Sequence, residues 1–220
     1  MEREALTRAD LHPRSSSRTG DEAGSSRGAG PTSSSLDPFM PSPDVREYHA
    51  TTVHAPADLV FGVARAFDLQ SVPLVRGIFA LRGILMGASA APRAPRGFLE
   101  EMRALGWGAL VERPLLFIGG AACRPWEANV VFRPIPTDRF ATFAEPDQVR
   151  IVWSLEAVPL GATLTRLGTE TRAAATDESA RVKFRRYWRW ARFGIVSIRM
   201  LLLPAIRRRA QAEWRARSGP

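Results

Sequence analysis

The last forty or so residues constrain this chain more than any other stretch. Phe184, Tyr187, Trp188, Ala191, Ile195, Ile198, Leu202, Ala205 and Ile206 recur at spacings of three and four, the repeat of one face of an α-helix. The pattern predicts a helix from Glu178 to about Arg217, bent near Gly194 and again at Pro204, whose ring removes a backbone hydrogen bond. Opposite the seam stand Arg185, Arg186, Arg189, Arg192 and Arg207 to Arg209. Each large seam side chain is worth roughly 1.5–3 kcal/mol when buried, so a seam about six turns long needs a broad apolar partner. The apolar run from Phe193 to Ile206 is interrupted by Arg199 and falls short of the ~20 residues a membrane span requires. Lying flat on an anionic bilayer is the alternative to packing in the same domain.

The partner surface is foreshadowed upstream. Arg46 to Ala55 alternates Tyr48, Ala50 and Thr52 with His49, Thr51 and Val53, a strand pattern. Pro56 opens a helix carrying Leu59, Val60, Val63, Ala64 and Phe67 on one stripe. A second amphipathic stretch runs from Pro73 to Met86, Gly87 to Arg96 is a loop, and Gly97 to Leu105 spaces Phe98, Met102 and Leu105 as a short helix. From Trp107 the pattern becomes strand-like. Trp107 to Arg113 and Leu115 to Cys123 flank Pro114 as a hairpin, and Ala128 to Arg133 is a third short run ended by Pro134 and Pro136. Val149 to Ala157 alternates as a half-buried strand, Pro159-Leu160-Gly161 turns the chain, and Thr163 to Arg172 returns with Thr163, Thr165, Leu167, Thr169 and Thr171 on one face. Strands bunched between helices predict an α+β fold. It is an antiparallel sheet of about six or seven strands curved onto the long terminal helix, with two or three short helices after the first strand.

Residues 1–44 read differently. Serine runs at Ser15-Ser16-Ser17, Ser25-Ser26 and Ser33-Ser34-Ser35 alternate with Gly, Pro and single charges, a composition that buries too little apolar surface to offset ordering entropy. The expectation is a disordered tail over 1–44 and one domain over 45–217. The tail lacks the apolar stretch of a secretory signal. A single cysteine, Cys123, excludes an intramolecular disulfide, so a cytoplasmic location is expected. The net charge of +9 is concentrated at the end, where the basic residues after Glu178 face only Glu178 and Glu213. Such a helix faces water, acidic lipid heads or phosphates. No nucleic-acid reading motif accompanies the arginines, and nucleic acid is not expected as a partner.

Catalytic patterns are sparse. His12, His49 and His54 with one cysteine do not supply the three or four converging ligands of a zinc site. Cys123 sits in an apolar strand, where a thiol is ordinarily inert. Gly119-Gly120 is not followed by the Lys-Ser/Thr of a phosphate loop, and no serine occupies a nucleophile elbow. No metal, cofactor or catalytic residue is therefore expected. The unusual polar residues are Glu170 and Arg172, which share one face of a strand, and Arg199 within the apolar seam. A charge buried at Arg199 needs an acidic partner, Glu170 being the candidate, or a ligand's acid or carbonyl oxygen. The remaining alternative is that its guanidinium reaches solvent at the helix flank. Trp126, Trp153 and Trp188 are expected to face the core, as filling or as cavity lining.

His54-Ala55-Pro56-Ala57-Asp58-Leu59-Val60-Phe61 resembles the entry to the first helix in the START-like (SRPBCC) superfamily. Arg124-Pro125-Trp126, Phe140-Ala141-Thr142-Phe143-Ala144-Glu145-Pro146, Thr169-Glu170-Thr171-Arg172 and Phe184-Arg185-Arg186-Tyr187-Trp188 are similar to a bacterial, polyketide cyclase/dehydrase-like branch of that superfamily. The resemblance spans about Val45 to Glu213. It implies a helix-grip fold with a deep cavity between sheet and terminal helix, holding a hydrophobic or amphipathic molecule such as a lipid or polyketide. Phe117, Trp126, Trp153, Glu170, Arg172, Trp188 and Arg199 are the expected pocket residues. Carriage of such a ligand is the leading reading. The alternatives are a cyclase- or dehydratase-type enzyme using polar groups in the same cavity, and a module touching membranes or partners through its basic helix.

Overall fold

A computed structural model describes residues 33–72, Gly77 and 96–219. In chain order these form β1 (Val45–Val53), α1 (Ala57–Ala66), α2 (Phe98–Ala104), β2 (Gly108–Arg113), β3 (Leu116–Cys123), β4 (Val149–Gly161), β5 (Leu164–Ala175) and α3 (Glu178–Ser218). Single 3-10 turns lie at Leu69–Ser71 and Thr137–Arg139. The expected amphipathic stretch from Pro73 to Met86 lies outside the described residues apart from Gly77, which is helical.

The strands make one fully antiparallel sheet in the order β1-β5-β4-β3-β2. Arg113 pairs with Leu116 across the two-residue turn Pro114-Leu115, as the proline break predicts. The next hairpin differs. Pro159 to Gly161 stays in β4, with a register irregularity, and Ala162-Thr163 makes the turn. The described sheet has five strands, not six or seven. The run from Ala128 to Arg133 forms only one bridge, Ala122 to Arg133. Pro134 and Pro136, which have no N–H to donate, stop the ladder just beyond that bridge; Val131 is exposed and Phe132 instead stacks on Trp107 at 4.7 Å.

Alternation along the strands gives the sheet two covered faces. On the inner face α1, α2 and the C-terminal part of α3 pack Val60, Phe61, Leu99, Leu203, Ile206 and Ala210 onto Val53, Phe117, Trp153, Leu155 and Leu167. A separate cluster at the start of α3 joins Phe184 to Val149 and Ala173, with Trp126, Tyr187 and Trp188 half-buried around it. Helix α3 starts where Asp177 accepts the Ala180 N–H at 2.7 Å. It runs unbroken for 41 residues through Gly194 and Pro204, about 60 Å at 1.5 Å per residue.

The outer face corrects the expected tail boundary. Residues 33–44 lie across it, burying Leu36 and Met40 with Phe140, Ile135, Ile118 and Val152. Arg150 secures the neighbouring loop by donating to the carbonyl oxygens of Phe140 and Ala141. The close fit depends on two glycines in β3. A Cβ on Gly120 would stand 2.6 Å from the Phe140 ring, and one on Gly119, on the opposite face, 2.8 Å from the Trp153 ring.

Candidate functional site

The seven expected pocket residues do not form one site. Phe117 and Trp153 belong to the inner cluster under the end of α3, their rings 5.2 Å apart. Trp126 and Trp188 flank the other cluster, where Lys183 sits 5.6 Å over the Trp126 ring. Glu170 and Arg172 face outward, on the side of the sheet away from α3. Adjacent residues of a strand point to opposite faces, and β5 aims Thr169 and Thr171 at the helix, so Glu170 and Arg172 must aim away from it.

On that outer side the two charges build a closed structural network. Glu170 Oε1 accepts from Arg46 Nε and Arg172 Nε, each at 2.7 Å, and Oε2 accepts from Ser34 Oγ at 2.6 Å. Arg172 donates through Nη1 to the Met40 carbonyl at 2.6 Å and pairs through Nη2 with Asp37 at 2.7 Å. Burial pushes the Glu170 carboxyl up, but the donors from Ser34, Arg172 and Arg46 outweigh it and hold the carboxyl below the ordinary carboxylate range. With partners on every side, this pair anchors residues 33–44 and has no oxygen to spare for a ligand. The expected Arg199–Glu170 pair is accordingly not formed; the sheet separates the two side chains.

Arg199 is placed differently. It lies near the middle of α3, turned toward the inner face of the sheet. Its Nη2 donates to Thr171 Oγ1 at 2.5 Å. Its Nη1 is buried with no hydrogen-bond acceptor among the described residues, and no carboxylate there lies within ion-pair distance. Burial draws the guanidinium down to about 10, opposed by the negative charge of Glu47, so it remains cationic at neutral pH. Thr171 lies opposite Glu47 on one side and Trp153 on the other. The Trp153 Nε1 is likewise buried without an acceptor among the described residues. The next rung carries His49 beside Thr169, with His49 Nε2 3.8 Å from Glu47 Oε2.

The cover over these groups is loose. Between Phe184 and Leu203 no residue of α3 is fully buried. Ala191, Ile195, Ile198 and Leu202 are half-buried along about 17 Å of helix. Two of the clefts among the described residues lie away from this midsection. One, of about 400 Å³, lies between His54, Thr163 and the Gln211–Arg215 turn; a smaller one, of about 160 Å³, adjoins Ala122 and Phe143 on the outer side.

The signal for Arg199 was visible in sequence, as a cation inside an apolar seam. Glu47 and Thr171 carried none, being ordinary residues of alternating strands. No family profile matches the chain, and no curated protein sequence does. The crystal structure of the Zhui aromatase/cyclase from Streptomyces sp. R1128 is similar over 80% of this chain and 99% of that one, with 13% identity and a TM-score of 0.33. At that identity and TM-score the similarity speaks to neither activity nor ligand.

Proposed function

We propose that this chain binds a hydrophobic or amphipathic small molecule bearing an acidic or carbonyl oxygen, held between the sheet and the middle of α3. The observation that supports it is the Arg199 guanidinium: cationic, half-buried, and with its buried Nη1 lacking an acceptor among the described residues. A buried guanidinium N–H without an acceptor is costly, and an incoming carboxylate or carbonyl oxygen would relieve that cost. Trp153 Nε1 offers a second donor on the same face. The half-buried Ile195, Ile198 and Leu202 offer apolar surface to the rest of the molecule.

The test is native mass spectrometry of the full chain, together with titration by an anilinonaphthalene sulfonate probe, which pairs an apolar ring system with one anionic group. Wild type should carry a co-purifying small molecule or take up the probe. Arg199→Leu should fold normally and bind it roughly ten- to a hundredfold more weakly, the worth of a hydrogen bond to a charged group. Equal binding by the variant would remove Arg199 from the site, and loss of folding would make its role structural.

One observation favours a second reading. The His49 imidazole and Glu47 carboxylate, 3.8 Å apart on the same face as Arg199, could move a proton on a bound substrate, as a cyclase or dehydratase requires. His49→Gln would then spare binding and abolish conversion of the co-purifying molecule.

A further inference from the structure

Helix α3 has a second apolar stripe, and it faces solvent. Val182, Trp190 and Phe193 are 61%, 77% and 67% exposed, and Met200 is 40% exposed. Val182, Phe193 and Met200 are separated by three turns and by two, which places them in line on one side of the helix, with Trp190 a turn before Phe193 and beside it. Arg186 and Arg189 fall within this stripe, and Arg185 and Arg192 border it on one side; all four are exposed. Among the described residues Arg185, Arg186 and Arg189 make no ion pair, whereas Arg181 and Lys183, nearer the helix start, are paired to Asp44 and Asp147. No acidic residue occurs between Glu178 and Glu213.

We propose that this outer side of α3, from Val182 to Met200, is a docking surface for an anionic lipid bilayer. Two large aromatic side chains held in water are costly for a soluble surface. Trp and Phe favour the boundary between headgroups and acyl chains. Arg186 and Arg189 within the stripe and Arg185 and Arg192 beside it would sit at headgroup level, where each is attracted to acidic lipid. The charge argues against the other occupants. A second copy would bring the same uncompensated arginines face to face. A nucleic acid would engage the arginines but leave the Val182–Phe193–Met200 line unused. The helix would lie on the membrane and not enter it, since no helix of the described residues is long and apolar enough to cross one. Arg199 lies a little over a quarter of the way round the helix from the Val182–Phe193–Met200 line, with its Nη2 turned inward to Thr171.

The experiment is co-sedimentation of the full chain with vesicles of phosphatidylcholine alone and of phosphatidylcholine mixed with phosphatidylglycerol, at low and high salt. The chain should pellet with the acidic vesicles only, and added salt should release it. Trp190→Ser with Phe193→Ser should retain the helical circular dichroism, because both side chains are exposed, and lower partitioning roughly tenfold or more. Arg186→Gln and Arg189→Gln should each lower it about fivefold. Arg199→Leu should leave it unchanged, which separates this surface from the ligand site. Failure to pellet with acidic vesicles, or pelleting that ignores the Trp190/Phe193 double substitution, would overturn the proposal. So would self-association, or binding to an RNA oligomer, that is abolished by the same substitutions in the absence of vesicle binding.

Discussion

Glu170 and Arg172 are neighbours on β5, yet most of what stabilises them comes from far away in sequence: Ser34, Asp37 and the Met40 carbonyl. Both residues are 2% exposed, so deleting one charge strands the other in a low-dielectric site. Glu170→Ala should cost roughly 3–5 kcal/mol, read as a lowered urea midpoint. The same carboxylate makes stability depend on pH. Its folded pKa is held below the ordinary value of 4.5, so its contribution is complete above that value and is lost as pH falls below it through the depressed folded value. The urea midpoint of wild type should drop across that acid window, and that of Glu170→Gln should drop less. The acid–base pair on a single strand face is legible in the sequence. Its function as an anchor for residues 33–44 is not, because nothing local distinguishes a charge pair facing a pocket from one facing a strap. The parity of β5 decides it, and parity is known only once Thr169 and Thr171 are seen to face the helix. Gly119 and Gly120 are similar: the sequence shows only that they are not a phosphate loop, while the structure shows two rings occupying the space of their missing Cβ atoms. Gly119→Ala should destabilise by roughly 1–3 kcal/mol through the crowded Trp153 ring.

At the scale of an element, α3 was readable in its length and start because its apolar spacing is long and regular. Its burial was read too uniformly. The seam is closed at its ends, by Phe184 and by Leu203, Ile206 and Ala210, and loose between them. A periodic pattern reports which side of a helix faces a surface, not how closely that surface approaches. Phe184, 2% exposed, and Trp188, half-buried beside it at 5.8 Å, measure this difference. Phe184→Ala should cost roughly 3–5 kcal/mol, the range for a large side chain removed from a packed core. Trp188→Ala should cost clearly less in the same thermal or urea melt, since part of its surface is already in water. Equal losses would mean that the start of α3 is packed as tightly around Trp188 as around Phe184.

Over the whole molecule, the architecture followed from the order of elements: strands bunched together require an antiparallel sheet, and a long amphipathic helix must cover one face of it. What covers the other face was missed. Residues 33–44 offer few apolar side chains among serines and prolines, and composition judges a segment by its own apolar content. Leu36 and Met40 are buried because a ready-made surface of Leu110, Ile118, Val152 and Ala174 receives them, so the cost of ordering the strap is met jointly with the sheet. The Asp37–Arg172 and Ser34–Glu170 contacts fix its register. A chain shortened to begin at Ser33 and one shortened to begin at Asp44 differ by this strap alone. The second should be less stable by roughly 3 kcal/mol or more, from two large side chains returned to water. It should also bind a dye for exposed apolar surface more strongly. If the two shortened chains melt together, the strap adds nothing to the fold, and the outer face must be held by the Arg150-secured loop alone.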